Sequence, residues 1–322
     1  MRQAGWFAGI TVCVALVLLS PLLCWLVVSH WFAGDAPSET AHAESIAALE
    51  KRLAPLALPM LAVQRGDWLA NNDEPGQTFA QYLDSHPVRR GENRSTLYIC
   101  EVGSFNEEQT KILETTYEYL ALFFDAPVRV RKRLALSEIP TRAQRRHPQW
   151  GVHQLEVGHL LDRVLKPDRP ADALAYTAFT AHDLWPATTP PERPYNFVFG
   201  QASLGERVGA WSMNRFGDPA QGETARLLCL RRTLGTATHE TGHILSLQHC
   251  TAFQCNMCGA NSNEEGDRHP LYFCPVCLRK LCWNLNVEPV AYLKRLETFC
   301  LKHRLVPEAE YYRRAVRALT KD

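Results

Sequence analysis

The segment His239-Glu240-Thr241-Gly242-His243 restricts the fold more than any other part of the chain. Histidines four residues apart lie on one face of a helix, so both imidazoles can reach a single metal ion. Glu240 projects beside them, placed to take a proton from water at the ion rather than to bind the ion. Alone, such a pattern arises by chance in about one chain in a hundred. His249, six residues after His243, weakens that chance reading, because the chain can leave the helix, turn, and return a third imidazole to the same ion. Three neutral imidazoles with one open position make a catalytic rather than a structural zinc arrangement. Such an ion lowers the pKa of its water to roughly 7 and polarises a carbonyl. The fold therefore needs a central helix that stops soon after His243, followed by a tight return.

The cysteines add a second constraint. Six of the eleven (Cys250, Cys255, Cys258, Cys274, Cys277 and Cys282) crowd into one short stretch, which points to a metal site. Cys274-Pro275-Val276-Cys277 is a chelating knuckle that needs two more thiolates. Cys255 and Cys258 supply them at zinc-ribbon spacing, and Cys250 with Cys255 supplies a wider pair; either gives a closed, structural zinc. The competing reading is a set of disulfides in an exported domain, although CxxC cysteines rarely bond to each other except as redox motifs. Cys13 and Cys24 fall in an apolar run, Cys100 and Cys229 read as buried core thiols, and Cys282 and Cys300 have no evident partner.

Thr96–Val102 reads as a buried strand, 104–125 as an amphipathic helix, 128–130 as a short strand, 155–165 as a helix and 173–179 as another buried strand. A proline-rich loop over 185–194 leads to apolar runs at 196–199 and 208–213. Residues 223–247 read as the long helix that carries the histidines, and 287–303 and 307–319 as closing helices. Strand and helix alternate, which argues an α/β fold with helices on a mostly parallel sheet. Residues 35–95 form a juxtamembrane and N-terminal region with a helical signal at 39–53. The catalytic domain is expected over 96–285 and a C-terminal helical extension over 286–322.

The N-terminal segment 1–34 is expected to be a transmembrane helix or signal anchor. From Trp6 to Ala33 no side chain is charged, a run longer than the roughly 20 residues a spanning helix needs. Arg2 precedes it, while Asp35, Glu39 and Glu44 follow, so the positive-inside bias puts the catalytic domain outside the cytoplasm. The alternative is a secreted protein released by cleavage near Ala33 or Ala36. With 35 basic against 34 acidic residues, the chain lacks the basic excess that a nucleic-acid partner requires.

Taken together, His239-Glu240-x-x-His243, His249-Cys250, Cys255, Met257 and Cys274-x-x-Cys277 closely resemble the archaemetzincin motif. Gly66-Asp67-Trp68-Leu69, Asn196-Phe197-Val198-Phe199-Gly200-Gln201-Ala202 and Glu265-Gly266-Asp267-Arg268 also look like the vertebrate-type members. The likeness covers roughly 60–285. It implies a metzincin-like α/β zinc peptidase domain with a central active-site helix. It also implies two zinc ions per chain: a catalytic one on His239, His243 and His249, and a structural one on Cys250, Cys255, Cys274 and Cys277. Glu240 is then the general base, Met257 the methionine of the Met-turn, and Cys258 no ligand. The implied substrates are peptides or proteins, with an aminopeptidase-like preference.

Two features depart from the family. Ser246 stands where a glycine is usual three residues after the second histidine, and the soluble members lack the N-terminal apolar run. If the helix stops before Ser246, that residue takes a left-handed backbone at a cost on the order of 1–2 kcal/mol. Two other function classes compete: a zinc-binding protein that has lost turnover, and a zinc hydrolase of non-peptide bonds. Retention of Glu240 argues against the first, since a pure binder has no use for that carboxylate.

Overall fold

Runs rich in Val, Ala and aromatic residues become the core of a five-stranded sheet in the computed structural model, which describes residues 39–186 and 196–321. The apolar run expected to form a membrane helix over 1–34 lies outside the described residues. Among the described residues, no helix is long and apolar enough to cross a membrane. The sheet contains β1 (Thr96–Val102), β2 (Val128–Leu134), β5 (Ala173–Thr180), β7 (Gly200–Ser203) and β8 (Val208–Ser212), in the order β2-β1-β5-β8-β7. The first four in that order are parallel, and only β7 runs antiparallel, against β8. β5 is buried along its whole length, as a central parallel strand covered on both faces must be. The α/β reading with a mostly parallel sheet therefore holds.

β2 extends four residues beyond the expected 128–130, to Leu134. Its exposed Arg129, Arg131 and Arg133 alternate with less exposed residues, the pattern of an edge strand blunted by charge. The 155–165 segment also differs from expectation. Its first residues belong to β4 (His153–Glu156), which with β3 (Gln144–Arg146) and β6 (Asp183–Trp185) makes a separate three-stranded sheet; helical backbone follows over 157–168. The 196–199 run is not a strand of its own, since it contributes only an isolated bridge from Val198 to Leu184 before β7 begins.

Helices cover the main sheet. α1 (Glu39–Leu53) has the bounds its Ala/Glu/Leu pattern predicts, and α2 (Phe79–Asp84) is set by a capping box between Thr78 and Gln81. α3 (Glu107–Phe123) starts with the same device, Asn106 with Gln109. α4 (Glu223–Ile244) is the central helix, followed by α5 (Asn263–Asp267), α6 (Pro275–Leu285), α7 (Pro289–Lys302) and α8 (Val306–Thr320). The two closing helices share the main core: Tyr292 donates to the Phe123 carbonyl, and Tyr311 stacks on Tyr272 with ring centroids 3.5 Å apart. Each such buried aromatic contributes on the order of 1.5–3 kcal/mol. Tyr311 also donates to the carbonyl of Phe273, so these helices brace the chain immediately before Cys274.

Candidate active site and metal centres

α4 ends at Ile244, three residues earlier than the sequence pattern suggests, and this early stop builds the site. The Ser246 N–H bonds the His243 carbonyl and the Leu247 N–H bonds that of Gly242, the paired bonds of a Schellman ending. Ser246 has φ 70°, so it adopts the left-handed backbone that glycine takes without a Cβ penalty. The serine has its own compensation, because its hydroxyl accepts from the Val88 N–H at 3.1 Å. The turn then brings His249 back over the helix.

The ring nitrogens of His239, His243 and His249 converge, with one nitrogen of each lying within 4.8 Å of the others. Nε2 of His239 and Nε2 of His243 are 3.0 Å apart. Tetrahedral ligands at the usual zinc–nitrogen distance are separated by roughly 3.3 Å, so the donor set fits zinc. Each ring is also held through its other nitrogen. Nδ1 of His239 bonds the Asn256 carbonyl at 2.7 Å, and Nδ1 of His243 bonds that of Leu247 at 2.7 Å. Nδ1 of His249 meets the Glu74 carboxylate at 2.9 and 3.0 Å. Such partners fix ring orientation and leave the Nε2 atoms for an ion. Burial, reinforced by the neighbouring imidazoles, holds His239 well below the usual imidazole range and brings His243 down to about 4. Both rings are therefore neutral at ordinary pH, the form that binds metal.

Glu240 is buried beside them, and burial pushes its carboxyl up to about 8. The first residue of β7 lies directly against it: a Cβ added to Gly200 would stand 2.7 Å from Glu240 Oε1. Gly242 is packed just as closely. A Cβ there would come within 2.6 Å of Met257 Sδ, so Met257 packs under the helix between the two histidines.

The cysteine group lies in the same stretch of chain. Sulfurs of Cys250, Cys255, Cys274 and Cys277 gather within 4.8 Å of one another, and none of these cysteines forms a disulfide. The Cys250 and Cys274 sulfurs are 3.7 Å apart, close to the roughly 3.8 Å edge of a tetrahedron with zinc–sulfur bonds of 2.3 Å. The Cys255 sulfur accepts from the N–H groups of Met257 and Cys274. Hydrogen bonds from Cys255, Cys258, Cys274 and Cys277 pull the Cys250 thiol far down, while burial pushes Cys255 up. As thiolates, four sulfurs this close and this buried would need a cation among them. Cys258 stays outside the group, with its sulfur on the Phe253 carbonyl at 3.3 Å.

The model for peptidase family M54 matches residues 192–282. Archaemetzincin-2 of Pongo abelii is 30% identical over 322 residues, covering 89% of this chain and 84% of that protein. This chain belongs to the archaemetzincin family. Archaemetzincin-2 of Homo sapiens is 32% identical over 259 residues, with 69% of each chain covered. The solved archaemetzincin of Methanopyrus kandleri shares 26% identity over 62% of this chain and 99% of its own, with a TM-score of 0.48. As an archaemetzincin of peptidase family M54, the protein is a zinc metallopeptidase, a hydrolase of peptide or protein substrates.

The motifs outside the ligand set dock on one another in this archaemetzincin. The Trp68 N–H donates to Glu265 at 2.8 Å, Asp67 pairs with Arg268, and the Trp68 ring meets His249 edge-on at 5.0 Å. Residues 196–202 line, with Trp68 and the three histidines, a cleft of about 660 Å³. Sequence reasoning missed Glu74, which sits in a turn-forming stretch with no signal of its own. It also missed Lys280, buried on α6, which donates to Gln77; the Gln77 side chain donates to the Ser246 carbonyl and accepts from the Gln248 N–H.

Proposed function

We propose that this archaemetzincin hydrolyses peptide bonds with one zinc on His239, His243 and His249, a second on Cys250, Cys255, Cys274 and Cys277, and Glu240 as general base. The observation that carries the reading is the convergence of three imidazoles whose Nδ1 atoms are already committed, beside a buried carboxylate in an open cleft. Zinc at the histidines supplies Lewis acidity, bringing the pKa of water toward about 7. The chain's own residues do the rest. The carbonyls of Asn256 and Leu247 and the carboxylate of Glu74 hold the imidazoles in register. Glu240, in its ionised form, would take a proton at a carboxylate oxygen and pass it to the departing amine. Met257 supports the helix from beneath as the Met-turn residue, and the closed thiolate site braces the return loop.

Digestion of a peptide library with and without a zinc chelator tests the reading. Cleavage should stop with the chelator and return with zinc. Binding without cleavage, or turnover of non-peptide esters or amides alone, would contradict it. Comparing free with acetylated N-termini in the same library tests the aminopeptidase-like preference, which should appear as faster cleavage of the free amine. We also propose, on hydropathy and flanking charge, that segment 1–34 anchors the chain with its catalytic part outside the cytoplasm. Protease added to the cytoplasmic side of sealed membranes should then leave that part intact.

A further inference from the structure

One wall of the metal cleft is aromatic and fixed in place. Trp150 is 50% exposed, an unusual state for the largest apolar side chain, yet it is clamped. His147, itself 2% exposed, stacks on it with centroids 4.0 Å apart and planes 11° apart, and His147 Nδ1 accepts the Trp150 backbone N–H at 3.2 Å. The Arg215 guanidinium lies 4.7 Å from the Trp150 ring and 3.5 Å from that of Phe197. Arg215 is locked by a two-bond fork, at 2.8 and 2.7 Å, to Asp183, which is fully buried. Phe197 contacts Trp150 edge-on at 6.2 Å and Phe199 at 5.3 Å. The wall thus runs from Trp150 to Phe199, the residue before Gly200, which lies against Glu240.

Stability alone does not account for this arrangement. A half-exposed tryptophan forgoes much of its burial free energy, and a buried Arg–Asp pair is costly to desolvate. A rigid, exposed aromatic surface is instead what recognition favours, because its ordering entropy is lost before the ligand arrives. Phe197 is three residues from Gly200, which puts the two at most about 10 Å apart at ~3.3 Å per residue. A substrate running in extended form along the cleft therefore reaches the wall within about three residues of the reacting bond.

We propose that Trp150, Phe197 and Phe199 form a subsite for an aromatic side chain of the peptide substrate, one to three residues from the bond that is cut. The proposal rests on the peptidase reading above and narrows its substrate class. It is tested with the zinc-loaded full chain and alanine heptapeptides, each with a free and with an acetylated N-terminus, in which a single phenylalanine is moved through every position. At one position kcat/KM should rise roughly tenfold over the all-alanine parent. In Trp150→Ala that phenylalanine-to-alanine ratio should fall to within about twofold of unity, while Trp150→Phe should keep most of it. A ratio near one at every position in the wild type, or a full ratio in Trp150→Ala, overturns the subsite. If the wild type cleaves none of these peptides, the peptidase reading has failed, and calorimetric binding of the same peptides still decides the subsite. Tighter binding of one phenylalanine peptide, lost in Trp150→Ala, supports the subsite; equal affinity for all of them overturns it.

Discussion

His249 and Cys250 are neighbours in sequence yet belong to opposite kinds of site. The three histidines are partly exposed on the floor of a cleft, each with one nitrogen held and one free. The four cysteines are buried; the chain at 58–60 bonds residues 252 and 254 of their loop, and Tyr311, stacked on Tyr272, bonds the Phe273 carbonyl beside Cys274. Imidazoles with an open position suit chemistry, whereas four thiolates with none suit holding the chain together. The difference suggests a division of labour. On the function proposed above, the closed site fixes the return loop in place, and the loop presents His249 to the open site.

That division fails first, and by the most, if the cysteine group is disturbed. Cys274→Ser or Cys250→Ser should lose metal from the closed site and cost several kcal/mol of stability, since metal binding at such sites is folding free energy. Melting and metal content are the checks. Cys258→Ser should change neither, and a matching loss there would put Cys258 in the ligand set. His249→Ala should do the reverse: metal leaves the open site and turnover is lost, while the melting temperature moves by only a few degrees. A collapse of the fold in His249→Ala would erase the distinction between the sites.

Smaller effects sharpen the same contrast. Glu74→Gln removes the carboxylate that orients His249, so zinc affinity at the open site should fall about 10- to 100-fold, with the closed site unaffected. Zinc titration against a competing chelator separates the two. Ser246→Gly should have the smallest effect. Relief of a left-handed serine, worth on the order of 1–2 kcal/mol, is offset by loss of the acceptor for the Val88 N–H, worth about 1 kcal/mol. Thermal melts should place the net change within about 1 kcal/mol of zero, with the glycine variant no less active.

Much of the site was legible because its residues are close in sequence. The spacing of His239, His243 and His249 demands a helix that stops early, and the left-handed Ser246 is where that stop falls. The knuckle at Cys274 and Cys277 was likewise visible, although choosing Cys250 over Cys258 needed the family resemblance. Partners brought in by tertiary folding were not legible. Glu74 lies far from His249 in sequence, within a stretch that reads as turn alone, and nothing local marks Gln77 or Lys280 as supports of the turn at residues 246–248. In the fold, β5 announced itself by a nearly continuous apolar run, whereas only the first three residues of β2 did, because an edge strand with arginines on its outer face carries a weaker signal. The small β3-β4-β6 sheet was hidden for a different reason, its strands being only three or four residues long.

The central claim is that Glu240 moves the proton and does not hold the metal. Glu240→Gln keeps the size of the side chain and removes its basicity. Steady-state peptide cleavage and zinc content should be measured together on this variant. The account predicts a normal zinc content and melting temperature, with turnover lowered by at least about 10²-fold. Near-wild-type turnover with the zinc in place would contradict it.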